Sequence, residues 1–186
     1  MHSNGRVKVG IIGSQFEADI HAASTKMASE FAEVVAVASP TQGNAAVLAK
    51  RYGIPRVFTD YREMLKEQDI EMVTIAAPNA LHAQMTGDCA NAGKHVVCEK
   101  PLAMTVEEGE QMIHDTRNAG VLLLYAEELL KHNVRSVAAM ATIESNRGRH
   151  HRKRDPTRYG EALHRCPNAH RGATAATSRD GGELAS

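Results

Sequence analysis

An acid and a base stand side by side at the end of an apolar run in KHVVCEKPLAM, residues 94–104. Burial of the Val-Val-Cys run is ordinary for a strand, but an unpaired charge placed against its end would be costly. We therefore expect Glu99 and Lys100 to reach water, to satisfy each other, or to serve a ligand. A lysine with a partly desolvated amine could take up or release a proton during a reaction.

A glycine-containing loop follows the first apolar run, in VGIIGSQFEADIHAA. Gly13 and Ala18 occupy the first and last positions of a dinucleotide fingerprint, but Gln15 stands where a middle glycine normally lets the backbone approach a pyrophosphate. A helix beginning near residue 16 would still offer free N–H groups and a positive dipole end to a phosphate. The residues alone leave a dinucleotide loop and a plain strand-to-helix turn equally open. On the first interpretation the cofactor is bound by Gly13, Ser14, Gln15 and Phe16.

The second apolar run ends at Ser39-Pro40-Thr41. An acid at this point would hold a ribose 2′-hydroxyl and repel a 2′-phosphate. No acid is present, whereas Asn44 is close by and Lys50 and Arg51 follow on the next helix. The pattern leans towards NADP or the use of either cofactor, with Ser39 as a candidate contact, and a simple proline turn is the alternative.

Two further strand ends carry polar residues, in AAPNALH and in CEKP. Because ligands of open parallel sheets bind beyond the carboxyl ends of the strands, we expect both segments to project to the same edge as Gly13. Glu99 and Lys100 would then lie at the rim of that edge, where water and cofactor meet them. Ala77, Pro78, Asn79 and His82 stand in the first of these segments, and Glu99 and Lys100 in the second.

The first 130 residues alternate between short apolar runs and segments with helical spacing. Runs that are apolar throughout are typical of a parallel sheet covered on both faces. The sequence therefore predicts a Rossmann-type, doubly wound α/β fold. The six predicted strands are residues 6–13, 32–39, 56–60, 71–78, 94–101 and 121–130.

Helix boundaries are marked by capping residues. Asp60 and Asn79 are predicted N-caps, and Thr105 with Glu108 three residues later forms a predicted capping box. Glycines are predicted to end two of the helices, at Gly53 and Gly93.

Composition excludes several classes of protein. Among 186 residues there is no tryptophan and only 4% aromatic content, which argues against an aromatic nucleic-acid platform. The start shows no apolar leader and no run reaches membrane-spanning length, so we expect a cytoplasmic protein without a membrane partner. Cys89 and Cys98 are expected to be small core residues of a reducing compartment, and Cys166 has no paired spacing.

The segments VGIIGSQFEADIHA, AAPNALHAQMTGDCANAGKHVVCEKPLAMTVEEGEQMI and GVLLLYAEELL resemble the amino-terminal domain of the Gfo/Idh/MocA oxidoreductases. These are relatives of glucose–fructose oxidoreductase and inositol dehydrogenase. The resemblance covers roughly residues 6–130. Its most specific part is the Glu-Lys-Pro motif after a strand, preceded about twenty residues earlier by Pro-Asn-x-x-His.

The resemblance implies hydride transfer, with NAD or NADP, at a carbon of a sugar, inositol or similar polyol. By matched position, Lys100 would face the substrate hydroxyl and help to move its proton, as the catalytic residue. The resemblance also implies that Glu99 lies near the nicotinamide ribose, and that Lys100 and the segment with Ala77, Pro78, Asn79 and His82 contact the cofactor. No metal site is expected. On the residues alone, a surface Glu–Lys pair at a turn is the simpler interpretation.

Two departures from the family pattern are visible. Gln15 replaces the middle glycine, which places the fit of the loop to a pyrophosphate in question. Members of the family also continue into a larger α/β domain that completes the substrate site, and nothing after Leu130 resembles it. We therefore expect a cofactor-binding domain over residues 1–130, from a truncated or frame-shifted oxidoreductase; the alternative is a non-catalytic NAD(P)-binding or regulatory module.

The last part of the chain has a different character. Residues 1–130 carry a net charge of −6 and residues 131–186 a net charge of +6. We expect a helical extension over 131–144 and a disordered basic tail over 145–186, whose only large aliphatic residues are Leu163 and Leu184. A reading frame lost after the first domain is the leading hypothesis for this tail. One alternative is a basic segment that binds nucleic acid, although the acidic first part argues against a broad electrostatic footprint. The other is a metal site built from His150, His151, Cys166 and His170.

Overall fold

The computed structural model describes residues 6–126, apart from the side chain of Gln42. Its strands form a six-stranded sheet in the order β3-β2-β1-β4-β5-β6, and every neighbouring pair is parallel. The predicted doubly wound parallel sheet is confirmed. The strands are β1 Val7–Ile12, β2 Ala32–Ala38, β3 Arg56–Phe58, β4 Met72–Ile75, β5 His95–Glu99 and β6 Leu123–Ala126.

Five α-helices and one 3-10 turn connect these strands. Each connection between parallel neighbours is a crossover that returns the chain to the amino end of the next strand. The 3-10 turn is Asn79–Leu81, and the helices are α1 Phe16–Met27, α2 Gln42–Tyr52, α3 Tyr61–Leu65, α4 His82–Asn91 and α5 Val106–Ala119.

Alternate residues of the central strands pack on opposite faces of the sheet. Ile11 and Val37 pack with apolar residues of α1 and α2, whereas Ile12 and Ala38 belong to a cluster with residues of α3, α4 and α5. This two-sided burial explains why the strands are apolar throughout. The sheet is therefore buried on both faces. Polar side chains that could bind a ligand are found in the loops at its two edges, where the strands begin (amino edge) and end (carboxyl edge).

Most of the predicted helix boundaries are confirmed. Asp60 Oδ1 accepts a hydrogen bond from the Arg62 N–H at 2.8 Å, and Thr105 Oγ1 accepts one from the Glu108 N–H at 3.2 Å. The Glu108 carboxylate in turn accepts the Met104 N–H at 2.9 Å. These contacts satisfy donors that the first turn of a helix leaves without partners.

The predicted N-cap at Asn79 is wrong. The Leu81 N–H donates to the Pro78 carbonyl at 2.9 Å, so Asn79 already lies inside a 3-10 turn and α4 begins only at His82. Pro78, with φ of −57°, starts this turn because its ring restricts φ to a helical value.

Lys94 is buried at the amino edge of the sheet, directly before β5. Its buried ammonium donates to the carbonyl oxygens of Glu67 and Ile70 at 2.8 and 2.9 Å. Two short bonds to carbonyl groups compensate in part for the desolvation of this charge, and burial lowers the pKa of Lys94.

Asp69 lies at the same edge, between two cations. Arg56 donates two hydrogen bonds to its carboxylate, at 2.9 and 3.0 Å, and Lys8 donates another at 3.1 Å. Chiefly because of the hydrogen bonds from Arg56, the pKa of Asp69 falls from 3.8 to about 2. The contact joins β1 and β3 to the segment before β4.

The two cysteines in the described part of the chain are buried core residues, as predicted. Burial raises the pKa of both thiols, that of Cys98 to about 12. Neither thiol is suited to act as a nucleophile at neutral pH.

Residues 1–5 and 127–186 lie outside the described part of the chain. So do the predicted extension over 131–144, the predicted basic tail over 145–186 with its candidate metal ligands, and the last four residues of the sixth predicted strand. Among the helices between residues 6 and 126, none has the length and apolar character needed to cross a membrane.

Candidate functional site

Four neighbouring strands end in register with one another at the carboxyl edge of the sheet. Ile12 pairs in register with Ala38 and with Ile75, and Ile75 pairs with Cys98. The prediction that the turns near Gln15, Asn79 and Glu99 share one edge is therefore confirmed. The residues that follow these four positions, and so form a single row, are Gly13, Ser39, Ala76 and Glu99.

Gly13 is held tightly within this row. Its N–H donates to the Ala38 carbonyl at 2.8 Å, and its φ is +117°. A Cβ at this position would lie 2.1 Å from the carbonyl oxygen of Ala76. Both the backbone conformation and the lack of space require glycine here, so the first glycine of the loop serves the close approach of β1 and β4.

Gln15 fits the middle position of the loop without strain. Its φ and ψ of −102° and −156° are extended values that any residue adopts, and its side chain is exposed. The Gln15 side chain does not cap α1, so the first N–H groups of the helix receive no acceptor from the cap residue. The middle position therefore needs no glycine for its backbone conformation, and the Gln15 side chain does not occupy the N–H groups at the start of α1.

Ser14 and Ser39 connect the ends of β1 and β2. Their hydroxyl oxygens are 2.8 Å apart, and Ser39 Oγ also accepts the Thr41 N–H at 3.3 Å. Ser39 is buried, whereas Thr41 and Asn44 are exposed beside it. The β2 end thus presents neutral hydroxyl and amide groups, and no carboxylate stands between residues 38 and 44.

Of the two cations after the β2 end, Arg51 is already paired. It forms an ion pair with Asp19 of α1, whose carboxylate also accepts the Tyr52 hydroxyl at 3.1 Å. This contact ties α2 to α1 and reduces the negative charge near the start of α1. Lys50 is exposed.

His82 ties the β4 end to the β5 end. Its ring is fully buried, with Nδ1 2.9 Å from the Pro101 carbonyl oxygen and Nε2 2.9 Å from that of Ala77. The buried ring therefore lies between two carbonyl oxygens, one from each loop of the edge, and a neutral imidazole can donate to one of them at a time. Pro78 and Asn79, which follow Ala77, are exposed.

Glu99 is not at the solvent-exposed rim where the sequence suggested it. Its side chain is only 5% exposed, and Oε1 lies 2.7 Å from Nε2 of His21, whose side chain is 7% exposed. Oε2 accepts the backbone N–H of Lys100 at 3.0 Å. The carboxylate therefore points under α1, because His21 offers it a partner that water would otherwise have to supply.

Lys100 is the exposed member of the pair. It follows β5 directly, and the peptide that joins it to Pro101 is cis. Lys100 is exposed and follows β5 at the same edge as the start of α1.

His21 is the residue of the edge that sequence reasoning missed. It lies on the buried face of α1 with Ala18, Ala22 and Thr25, at the three- and four-residue spacing of a helix stripe. A histidine within a stripe of small apolar residues needs a buried partner, and this signal could have directed attention to it.

The edge can bind an elongated anionic molecule and deliver a proton. It offers helix N–H groups at α1, hydroxyl groups at β2, an exposed proline and amide at β4, and the Lys100 amine at β5. In residues 6–126, no three His, Cys, Asp or Glu side chains are grouped to hold a metal ion.

Comparison with known proteins identifies a family. Residues 7–127 match the family model described as "Oxidoreductase family, NAD-binding Rossmann fold", that of the Gfo/Idh/MocA proteins. An uncharacterized oxidoreductase of Rhizobium meliloti is 43% identical over 107 residues, which are 58% of this chain and 32% of that protein. The chain spans about a third of the length of the curated relatives it matches.

Two solved structures are similar to this chain in both fold and sequence. A levoglucosan dehydrogenase in complex with NADH and L-sorbose has a TM-score of 0.61 at 34% identity, over 65% of this chain and 34% of that one. The biliverdin reductase of Synechocystis, in complex with biliverdin and NADP+, has a TM-score of 0.60 at 30% identity, over 64% of this chain and 37% of that one.

Proposed function

The chain belongs to the Gfo/Idh/MocA oxidoreductases, with an NAD-binding Rossmann domain, and we propose that this domain serves hydride transfer between nicotinamide and a sugar- or polyol-like alcohol. The observation that supports it best is the level row of strand ends, which assembles the start of α1, the β2 hydroxyl groups and Lys100 along one edge.

The residues of this edge fit a dinucleotide. The uncapped start of α1, at Gln15 and Phe16, suits the pyrophosphate, because its N–H groups and dipole favour negative charge. Ser39 and its neighbours suit the adenosine ribose. Pro78 and Asn79 border the opposite half, towards the nicotinamide.

Lys100 would carry the proton chemistry. When bound, the nicotinamide ring supplies the hydride acceptor or donor. Lys100 is the exposed ammonium that follows β5 at this edge, and it would hold the substrate hydroxyl and exchange its proton. Glu99, in contrast, would act indirectly, since its carboxylate is buried against His21.

The β2 end favours NADP or the use of either cofactor. The neutral groups of Ser39, Thr41 and Asn44 would not repel a 2′-phosphate, and the exposed Lys50 lies on the helix that follows. Since solved relatives carry NADH in one case and NADP+ in another, both cofactors belong in any binding experiment.

The substrate class rests on the relatives. A structurally similar protein is a levoglucosan dehydrogenase with L-sorbose, and other relatives are named as inositol dehydrogenases. The match covers about a third of such proteins, so the carbohydrate substrate is proposed for the intact oxidoreductase, and turnover by this chain alone is not expected. The buried free thiols of Cys89 and Cys98 suit a reducing cytoplasm.

A non-catalytic NAD(P)-binding module is the second candidate. It is favoured by one observation: among the candidate site residues within 6–126, Lys100 is the one exposed titratable side chain, because His82 and Glu99 are buried. Tight dinucleotide binding by the chain, with no second domain encoded in the other two reading frames, would favour it over the first candidate.

Titration of the purified full chain with NAD, NADP and their reduced forms tests the proposal, with reduced-cofactor fluorescence and calorimetry as readouts. We expect micromolar binding of at least one form. Gln15→Glu adds a carboxylate at the start of α1 and should weaken binding about five- to tenfold, from roughly 1 kcal/mol or more of repulsion.

The matched control is Gln68→Glu, the same change at an exposed position before β4, near the amino edge of the sheet. It should leave the dissociation constant unchanged. No binding by any of the four nucleotides, or equal effects of the two variants, would contradict the proposed site.

A further inference from the structure

We propose that His21 is a positioning residue for Lys100, acting through Glu99; the relevance of this role to catalysis rests on the proposed function. Two contacts form the connection. His21 Nε2 lies 2.7 Å from Glu99 Oε1, and Glu99 Oε2 accepts the Lys100 backbone N–H at 3.0 Å. Each oxygen of one carboxylate therefore has its own partner, one on α1 and the other at the start of the Lys100 turn.

Burial makes this connection stiff. The side chains of His21 and Glu99 are 7% and 5% exposed, so water cannot replace a lost partner without a rearrangement. Hydrogen bonds to a charged group in such surroundings are short and strong, and removal of the His21 contact takes away one of the groups that stabilise a buried carboxylate. Without the His21 contact, Glu99 would turn towards water and its bond to the Lys100 amide would be lost.

The connection joins two parts of the edge that are 78 residues apart in the chain. His21 lies on the helix whose first turn is the proposed pyrophosphate end, and Lys100 begins the turn after β5. Thr25 Oγ1 donates to the His21 carbonyl at 2.9 Å, one turn further along the same helix. The pair thus fixes the placement of the proposed proton-transfer group relative to the helix that holds the cofactor.

The Lys100 backbone amide is a direct reporter of this geometry. The full chain is labelled with ¹⁵N-lysine, and the Lys100 resonance is identified by its absence in Lys100→Arg. In the wild-type protein we expect a downfield amide proton and slow hydrogen exchange, because a carboxylate accepts this N–H. A Lys100 amide that exchanges at the rate of an open chain overturns the proposal without any variant.

His21→Phe keeps a buried ring but cannot bond Glu99. We expect the Lys100 amide to move upfield and to exchange at least tenfold faster. His21→Gln retains a side-chain N–H at similar reach and should restore both values towards the wild type. Should His21→Phe fail to fold, His21→Asn, whose shorter side chain does not span the contact, is expected to shift the amide in the same way.

Leu48→Ala is the matched control. Leu48 is buried with Ala18 and Ala22 on the same face of the sheet, but it lies on α2. The variant should lower the melting temperature and leave the Lys100 amide unchanged. An unchanged amide in folded His21→Phe or His21→Asn, or an equal shift in Leu48→Ala, would reduce His21 to ordinary packing.

These measurements need no cofactor, so they separate the two proposals. If the wild-type chain binds none of the four nucleotides, the proposed function fails while the Lys100 amide still decides the role of His21. If it binds at least one of them and the amide does not respond to His21, the positioning role fails alone.

Discussion

Gly13 and Ala76 approach so closely that a Cβ on Gly13 would lie 2.1 Å from the Ala76 carbonyl oxygen. This contact brings the ends of β1 and β4 close together next to the start of α1. The loop therefore depends on its first glycine for the geometry of the sheet as well as for any ligand.

Gly13→Ala should destabilise the protein and abolish dinucleotide binding. The clash and the φ of +117° together should cost at least about 2 kcal/mol, since each such feature is worth roughly 1–3 kcal/mol. Urea unfolding measures the loss. Gly43→Ala, with no atom within 4 Å of the added Cβ, should be neutral or slightly stabilising. Equal effects of the two substitutions would argue against the close approach.

Thr41→Asp should change the preference between cofactors. Thr41 is exposed beside Ser39 and occupies the N-cap position of α2, where aspartate and asparagine are both well tolerated. A carboxylate there repels a 2′-phosphate, so we expect NADPH binding to weaken at least about tenfold more than NADH binding. Thr41→Asn, without the charge, is the control. Parallel changes for both cofactors would show that the β2 end does not meet the ribose.

His82→Leu should destabilise the fold, because it removes the ring N–H from between the carbonyl oxygens of Ala77 and Pro101. A loss of about 1–3 kcal/mol is expected when such a donor is removed and its acceptor is left unsatisfied, measured by urea unfolding. His82→Gln retains one donor and should lose less. If the leucine variant proved as stable as the wild type, the ring would not brace the two loops.

Asp69 should make the protein acid-sensitive in a defined window. Its folded pKa of about 2 lies below the ordinary value of 3.8, so its contribution is complete above pH 4 and is lost as the pH falls towards 2. Asp69→Asn should therefore lower stability at neutral pH and flatten the pH dependence below pH 4. Urea unfolding between pH 2 and pH 7 tests this. Glu63→Gln, in an exposed pair with Lys66, is a control expected to change little.

The order of elements could be predicted because each depends on local sequence. Apolar runs gave all six strands, Asp60 and Thr105 gave helix starts, and the start of α1 near residue 16 followed from the loop. Asn79 misled because an N-cap and the first residue of a 3-10 turn have the same local appearance when proline precedes them.

The burial of Glu99 could not be predicted in this way. Its partner, His21, is 78 residues earlier in the chain, and only the packing of α1 against the sheet brings the two together. From sequence alone, a charged residue at the end of a strand is predicted to be exposed. Only the folded structure shows whether a distant residue pairs with it and buries it. The row of strand ends was predictable because parallel pairing follows from the fold, whereas this contact depends on one helix.

Strand β5 is flanked by two lysines with opposite surroundings. Lys94 is enclosed by carbonyl groups before the strand, and Lys100 extends into solvent after it. An acylating reagent would consequently modify Lys100 on the intact molecule and reach Lys94 only after the sheet opens. Mass spectrometry would then measure two acylation rates in one region of the chain. The rate at Lys100 reports access of the reagent to the carboxyl edge, and the rate at Lys94 reports unfolding of the sheet.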